Sequence, residues 1–115
     1  HVAIASVVPD AVFNLTSLAK HLTSSDPLII GHGALALDMD VLIDNPQELG
    51  ADRLVNAYAA WHKHKVALVV VDFGTATTFD VVSAEGAYMG GVIAPGVNLS
   101  LEALQRAAAR LHRIA

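Results

Sequence analysis

A mixed α/β fold is what this sequence predicts, and three observations carry the prediction. Short β-branched runs alternate with stretches whose apolar residues recur every three to four positions, the two periodicities of strand and helix. Apolar residues fill 54% of the 115 positions and charged ones 16%, so the chain packs a core and is too apolar to be intrinsically disordered. The segments run strand, helix, short strand, helix, strand, hairpin, helix, with no internal repeat and no low-complexity tract.

Val2 to Val8 is β-branched and nearly all apolar, which predicts a strand covered on both faces; Pro9-Asp10 ends it, with Asp10 placed to cap the following helix. In that helix Leu15, Leu18 and Leu22 form one stripe with Phe13 beside it, while Asn14, Ser17 and Lys20 take the other face. Thr23 to Pro27 is a turn cluster, and Leu28 to Ile30 then predicts a short strand ended by Gly31-His32-Gly33. Leu35 to Ile43 alternates less regularly and reads as a further strand or an extended loop. Asn45-Pro46-Gln47-Glu48 marks a helix start, with an Asn cap, Pro at the first position and Glu three past the cap. Gly50 leaves two readings, one helix from Pro46 to about His64 or a single turn followed by a main helix opening at Ala51-Asp52, and the second is preferred. Leu54, Tyr58 and Trp61 share a stripe of that helix, and the Lys and His residues after them suit its negative end. Val66 to Val71 predicts a buried central strand, and Asp72-Phe73-Gly74 a tight turn into a strand over 75–82. Ser83 to Gly86 predicts a hairpin turn and Ala87 to Ala94 a third strand. Pro95-Gly96 stops it, and Leu101, Leu104, Ala108 and Leu111 mark a closing helix.

Seven Lys and Arg against eleven Asp and Glu give a formal charge of −4, and basic residues cluster only at His62-Lys63-His64-Lys65, so no nucleic-acid footprint is expected. The longest strictly apolar run, Val66 to Val71, falls well short of the ~20 residues of a membrane span. No membrane association is expected. The absence of Cys excludes disulfides and thiolate metal sites and favours a reducing, cytoplasmic setting. With His1 first and a strand already at Val2, the sequence reads as an excerpt with no signal peptide expected.

Three segments could carry chemistry. In Asp72-Phe73-Gly74-Thr75-Ala76-Thr77-Thr78, a carboxylate at a strand end can hold a cation, while Gly and a Thr hydroxyl can approach phosphate oxygens; the same residues also make an ordinary β-turn. In Gly50-Ala51-Asp52-Arg53, Asp52 at a helix start could accept a hydroxyl proton while Arg53 or the amides hold an anion; it also reads as a plain acidic first turn. In Tyr88 to Gly96, the Gly90-Gly91 pair marks close approach of a ligand or another backbone, or else a bulge. His62 and His64 diverge by about 200° on a helix and cannot share a metal. Asp38 and Asp40 read as a solvated loop pair, and neither a Gly-x-Ser-x-Gly elbow nor a His-Glu-x-x-His motif occurs.

Five blocks in order then resemble one family: Ala5-Ser6-Val7-Val8-Pro9, Asn45-Pro46 leading to Gly50-Ala51-Asp52-Arg53-Leu54, Asp72 to Thr78, Gly90 to Gly96, and Ser100-Leu101-Glu102-Ala103-Leu104. The sequence is similar to type III pantothenate kinases, members of the acetate and sugar kinase, chaperone and actin superfamily. The resemblance implies a ribonuclease-H-like, actin-like ATPase fold in parts of two adjacent subdomains, with 1–65 the carboxy-terminal half of the first domain and 66–115 the amino-terminal half of the second. It implies ATP-dependent phosphorylation of pantothenate to 4′-phosphopantothenate, the first step of coenzyme A biosynthesis, in a homodimer. Asp52 then matches the proton acceptor, and Gly50, Ala51, Asp52 and Arg53 the pantothenate-binding segment. Asp72 matches the carboxylate for a monovalent cation, potassium or ammonium, and Thr75 an ATP-binding position, with magnesium accompanying ATP. The family's Asp-x-Gly-Asn-Thr phosphate loop does not occur in these residues. Two rivals are a non-catalytic regulatory homologue of the accessory-factor type and another sugar-type kinase of the superfamily; the latter explains Asp72 to Thr75 but not Gly50 to Arg53.

Overall fold

A computed structural model describes residues 1–31 and 37–108. The strands fall into two sheets. Strand β1 (Ala3–Ala5) pairs in parallel with β2 (Leu28–Ile30), and the helix α1 (Pro9–Thr23) makes the crossover between them. After a single 3-10 turn at Pro46–Glu48 comes α2 (Ala51–His64), followed by β3 (Leu68–Phe73), β4 (Ala76–Val82), β5 (Tyr88–Pro95) and α3 (Val97–Ala107). The last three strands form an antiparallel sheet in the order β3-β4-β5.

Several local expectations give way to stronger constraints. The first strand is three residues long and only Ile4 is buried in it, because its partner β2 is bounded by Pro27 and by Gly31 at φ +95°. Val7 and Val8 are exposed instead of covered. Asp10 does not cap α1: Pro9 supplies a preset φ and needs no donor at the first position, so the cap falls on Val8 and Asp10 sits in the first turn. Both long helices end on a non-glycine residue in the left-handed region, Ser24 donating to the Lys20 carbonyl and Lys65 to that of Trp61. The helix opening at Ala51 after a separate turn is as expected from Gly50, although the Asn45 side chain makes no cap bond.

In the second sheet β4, not β3, is central, and alternate β3 residues Val69 and Val71 are exposed. Strand β3 also continues through Asp72, paired with Thr78, so the chain reverses at Gly74-Thr75 and not at 72–74. The Ser83–Gly86 hairpin turn forms as expected, closed by Gly86 N–H to the Ser83 carbonyl at 3.1 Å. The main core lies between α2 and this sheet: Ala57, Val82 and Tyr88 are buried, flanked by Met39, Val41, Ile43, Leu49, Trp61 and Leu68. Residues 37–43 run as an extended loop along the sheet, where Tyr88 donates to the Asp40 carbonyl at 2.7 Å and Leu42 to that of Tyr88 at 2.8 Å. Residues 32–36, which include the first two positions of the Leu35 to Ile43 segment, and Leu111 of the closing helix lie outside the described residues. No residue of α3 is buried.

Candidate active site

Helix α2 crosses from one sheet to the other, and its first turn carries the Gly50 to Arg53 segment. Ala51 is buried because it packs against Gly31 at the end of β2; a Cβ on Gly31 would come within 2.6 Å of the Ala51 Cβ. The methyl of Ala51 is therefore committed to packing, and any ligand contact from this position belongs to its backbone. Asp52 is exposed, and its Oδ1 accepts the Arg53 N–H at 2.8 Å. Both the carboxylate and the free amides stand at the positive end of the helix dipole.

Arg53 turns the other way. Its Nε donates to Asp80 Oδ1 at 2.9 Å, its Nη2 lies 2.5 Å from the same oxygen, and the Tyr88 hydroxyl donates to that oxygen at 2.5 Å. Asp80 and Tyr88 are each only 1% exposed. Nη2 approaches Asp80 outside hydrogen-bonding angles and is itself buried without a hydrogen-bond partner among the described residues. Burial opposes the Arg53 charge, but the hydrogen bond and attraction from Asp80 outweigh it and hold its pKa above the ordinary arginine value. Burial, then hydrogen bonding and repulsion of a second negative charge by Asp80, push the Tyr88 phenol up to about 12.

Asp72 is exposed at the end of β3, and Asn56 Nδ2 lies 3.5 Å from its Oδ2. Asn56 follows Asp52 by one helical turn on the same face, so the two carboxylates border one stretch of surface with an amide between them. Thr75 is exposed in the reversal after Asp72, and its carbonyl accepts the Gly96 N–H at 3.0 Å. The Gly90-Gly91 pair resolves into two roles. At Gly90, φ +117° accompanies a register irregularity opposite Val81 and Val82, which is a bulge. At Gly91 the close approach is by the Arg53–Asp80 pair: a Cβ there would lie 2.5 Å from Nη2 and 2.7 Å from Oδ1, and would also strike the Phe79 carbonyl.

Asp80 and Asn56 escaped the sequence reading, and Tyr88 opened a candidate segment without a role of its own. For Asp80 a signal existed: it alternates with Phe79 and Val81 at an inward-facing strand position, where a carboxylate must find a partner. Among the described residues no group of three or more His, Asp or Glu could hold a metal ion, and no helix is long and apolar enough to cross a membrane.

An exposed carboxylate at a helix head can accept a proton from a hydroxyl, and a second exposed carboxylate beside a Gly-Thr turn can help hold a cation. Comparison with known proteins narrows the class: the type III pantothenate kinase family model matches residues 1–115, and the chain belongs to that family. A type III pantothenate kinase of Paramagnetospirillum magneticum is 56% identical over 112 residues, 97% of this chain and 43% of the relative. One from Caulobacter vibrioides is 55% identical over 114 residues, 99% of this chain and 43% of the relative. This chain thus spans less than half the length of these relatives. A solved structure, described as a conserved Baf family transcriptional activator from Campylobacter jejuni, superposes with a TM-score of 0.51 at 28% identity, covering 84% of this chain and 43% of that one.

Proposed function

We propose that the intact protein transfers the terminal phosphoryl group of ATP to the hydroxyl of pantothenate, giving 4′-phosphopantothenate, the first step of coenzyme A biosynthesis. The observation that carries this reading is the exposed Asp52 carboxylate at the head of α2, bordering the same surface as Asp72, in a chain matched by the family model from end to end. Asp52 takes the hydroxyl proton as the oxygen attacks the γ-phosphorus; the bond to the bridging oxygen breaks and ADP leaves. Gly50, Ala51, Asp52 and Arg53 form the pantothenate segment, and Thr75 contacts ATP, which magnesium accompanies. Asp72 is a partial ligand for potassium or ammonium: a hard, exposed oxygen with one long amide contact fits such an ion, provided carbonyls or waters complete its shell.

The same reading assigns a ribonuclease-H-like fold, with 1–65 and 66–115 belonging to successive domains. Two separate sheets, one before α2 and one after it in sequence, support that division, although α2 itself packs on the second sheet. It also assigns a homodimer, for which the unburied apolar residues of α3 are candidate surface. The test is phosphorylation of pantothenate by the intact protein: Asp52→Asn should lower turnover by ~100-fold or more and leave nucleotide binding in place. Wild-type turnover in that variant would remove Asp52 from its role. Likeness to the Campylobacter protein favours a second, regulatory reading, and failure of the wild-type protein to phosphorylate pantothenate would select it.

A further inference from the structure

We propose that Asp80 and Tyr88 are positioning residues for the acceptor substrate, acting through Arg53, an inference that rests on the kinase reading above. A buried carboxylate is costly unless its charge and lone pairs are matched, and here one oxygen of Asp80 takes both a guanidinium donor and a phenol donor. The Arg53 side chain is 18% exposed and that of Asp80 2% exposed, so the pair is largely withdrawn from solvent. The positive charge of Arg53 is therefore paired with Asp80, and its part in the pantothenate segment includes holding the first turn of α2 in place. Arg53 ties that turn to β4, and through the Tyr88 hydroxyl to β5.

From the other side the same turn rests on the end of β2, where Ala51 meets Gly31. Residues 52 and 53 point about 100° apart on a helix, so the Arg53 side chain is anchored inward while that of Asp52 faces outward. The direction in which Asp52 presents its carboxylate is thus set by the anchor next to it. Gly91 belongs to the device, since any side chain there would occupy the space of Nη2 and Oδ1. A lysine could not replace the arginine, because it offers a point charge in place of the planar fork that engages Oδ1 through Nε.

The experiment uses steady-state kinetics of the intact protein with pantothenate and ATP varied in turn, for wild type, Tyr88→Phe, Arg53→Lys and the double variant. Tyr88→Phe keeps the ring and removes one donor to Asp80; it should lower kcat/KM for pantothenate about 10-fold, through kcat as the Asp52 carboxylate is misaimed, while KM for ATP stays within about twofold. In the Arg53→Lys background the same change should add little, because both substitutions break one chain of contacts. Amide exchange at Leu54, whose N–H donates to the Gly50 carbonyl at 3.0 Å, should quicken in Tyr88→Phe while that at Gly86 does not. Unchanged kinetics, an equal rise in KM for both substrates, additive effects, or faster exchange at both amides would each overturn the proposal in favour of a purely structural role. A wild-type protein that does not phosphorylate pantothenate would remove the kinase reading and this inference with it, whereas an active wild type with any of those results removes the inference alone.

Discussion

Tyr88 gives the most direct pH dependence. Its folded pKa of about 12 lies above the ordinary 10.0, so the folded state holds the phenolic proton more tightly than the unfolded chain does. The stability contributed this way is fully present below pH 10 and is lost as pH rises through about 12. Urea midpoints measured across that window should fall for the intact protein, and the fall should be shallower in Tyr88→Phe; identical slopes would show that the phenol is not involved. Asp72 supports a prediction of a different kind. If its carboxylate helps hold potassium or ammonium, phosphorylation should be faster in either salt than in sodium, and Asp72→Ala should erase the difference. Equal rates in all three salts with the wild type would count against the assignment.

Hairpins and helix junctions were the more legible elements because their signals are local. Gly50 separates the 3-10 turn from α2, and Ser83-Ala84-Glu85-Gly86 turns where the residue types require it. Strand order and burial were not legible: the run Val66 to Val71 is equally apolar whether its strand is central or at an edge, and only the pairing partner decides. The Gly50 to Arg53 and Asp72 to Thr75 segments stood out by residue type. The Arg53–Asp80 contact, 27 positions apart, depends on the register of β4 beneath α2 and could not be read from spacing. The β4–β5 turn also carries a prediction. Gly86 has φ +93°, and a Cβ there would lie 2.6–2.8 Å from Trp61 ring atoms, while the Trp61 indole N–H donates to the Ala84 carbonyl at 3.1 Å. Gly86→Ala should destabilise the intact protein by ~1–3 kcal/mol in urea unfolding, from backbone strain and overpacking together; a change under ~0.5 kcal/mol would mean the ring moves aside freely.

Across the whole molecule much apolar surface is left uncovered. On the sheet face turned from α2, Val69, Val71, Phe73, Phe79, Val81 and Val92 are all exposed, as are Phe13 and Leu22 on α1. The radius of gyration is 17.6 Å, against roughly 13 Å for a compact chain of about 100 residues, so the described elements enclose only a small core. Apolar surface on this scale marks contact with further protein. For α3, with Val97, Leu99 and Leu104 each more than half exposed, the homodimer proposed above makes a second subunit the partner to test, against packing on the rest of the intact chain. Sedimentation of the intact protein should give a dimer that Ala107→Glu weakens, and a folded monomer for both proteins would refute that assembly. The Arg53–Asp80–Tyr88 cluster has a consequence for recombination between relatives. A chimera joined at Lys65 takes Arg53 from one parent and Asp80, Tyr88 and Gly91 from the other. Crossovers at that seam should survive only between parents that agree at all four positions, however well the rest of their sequences align.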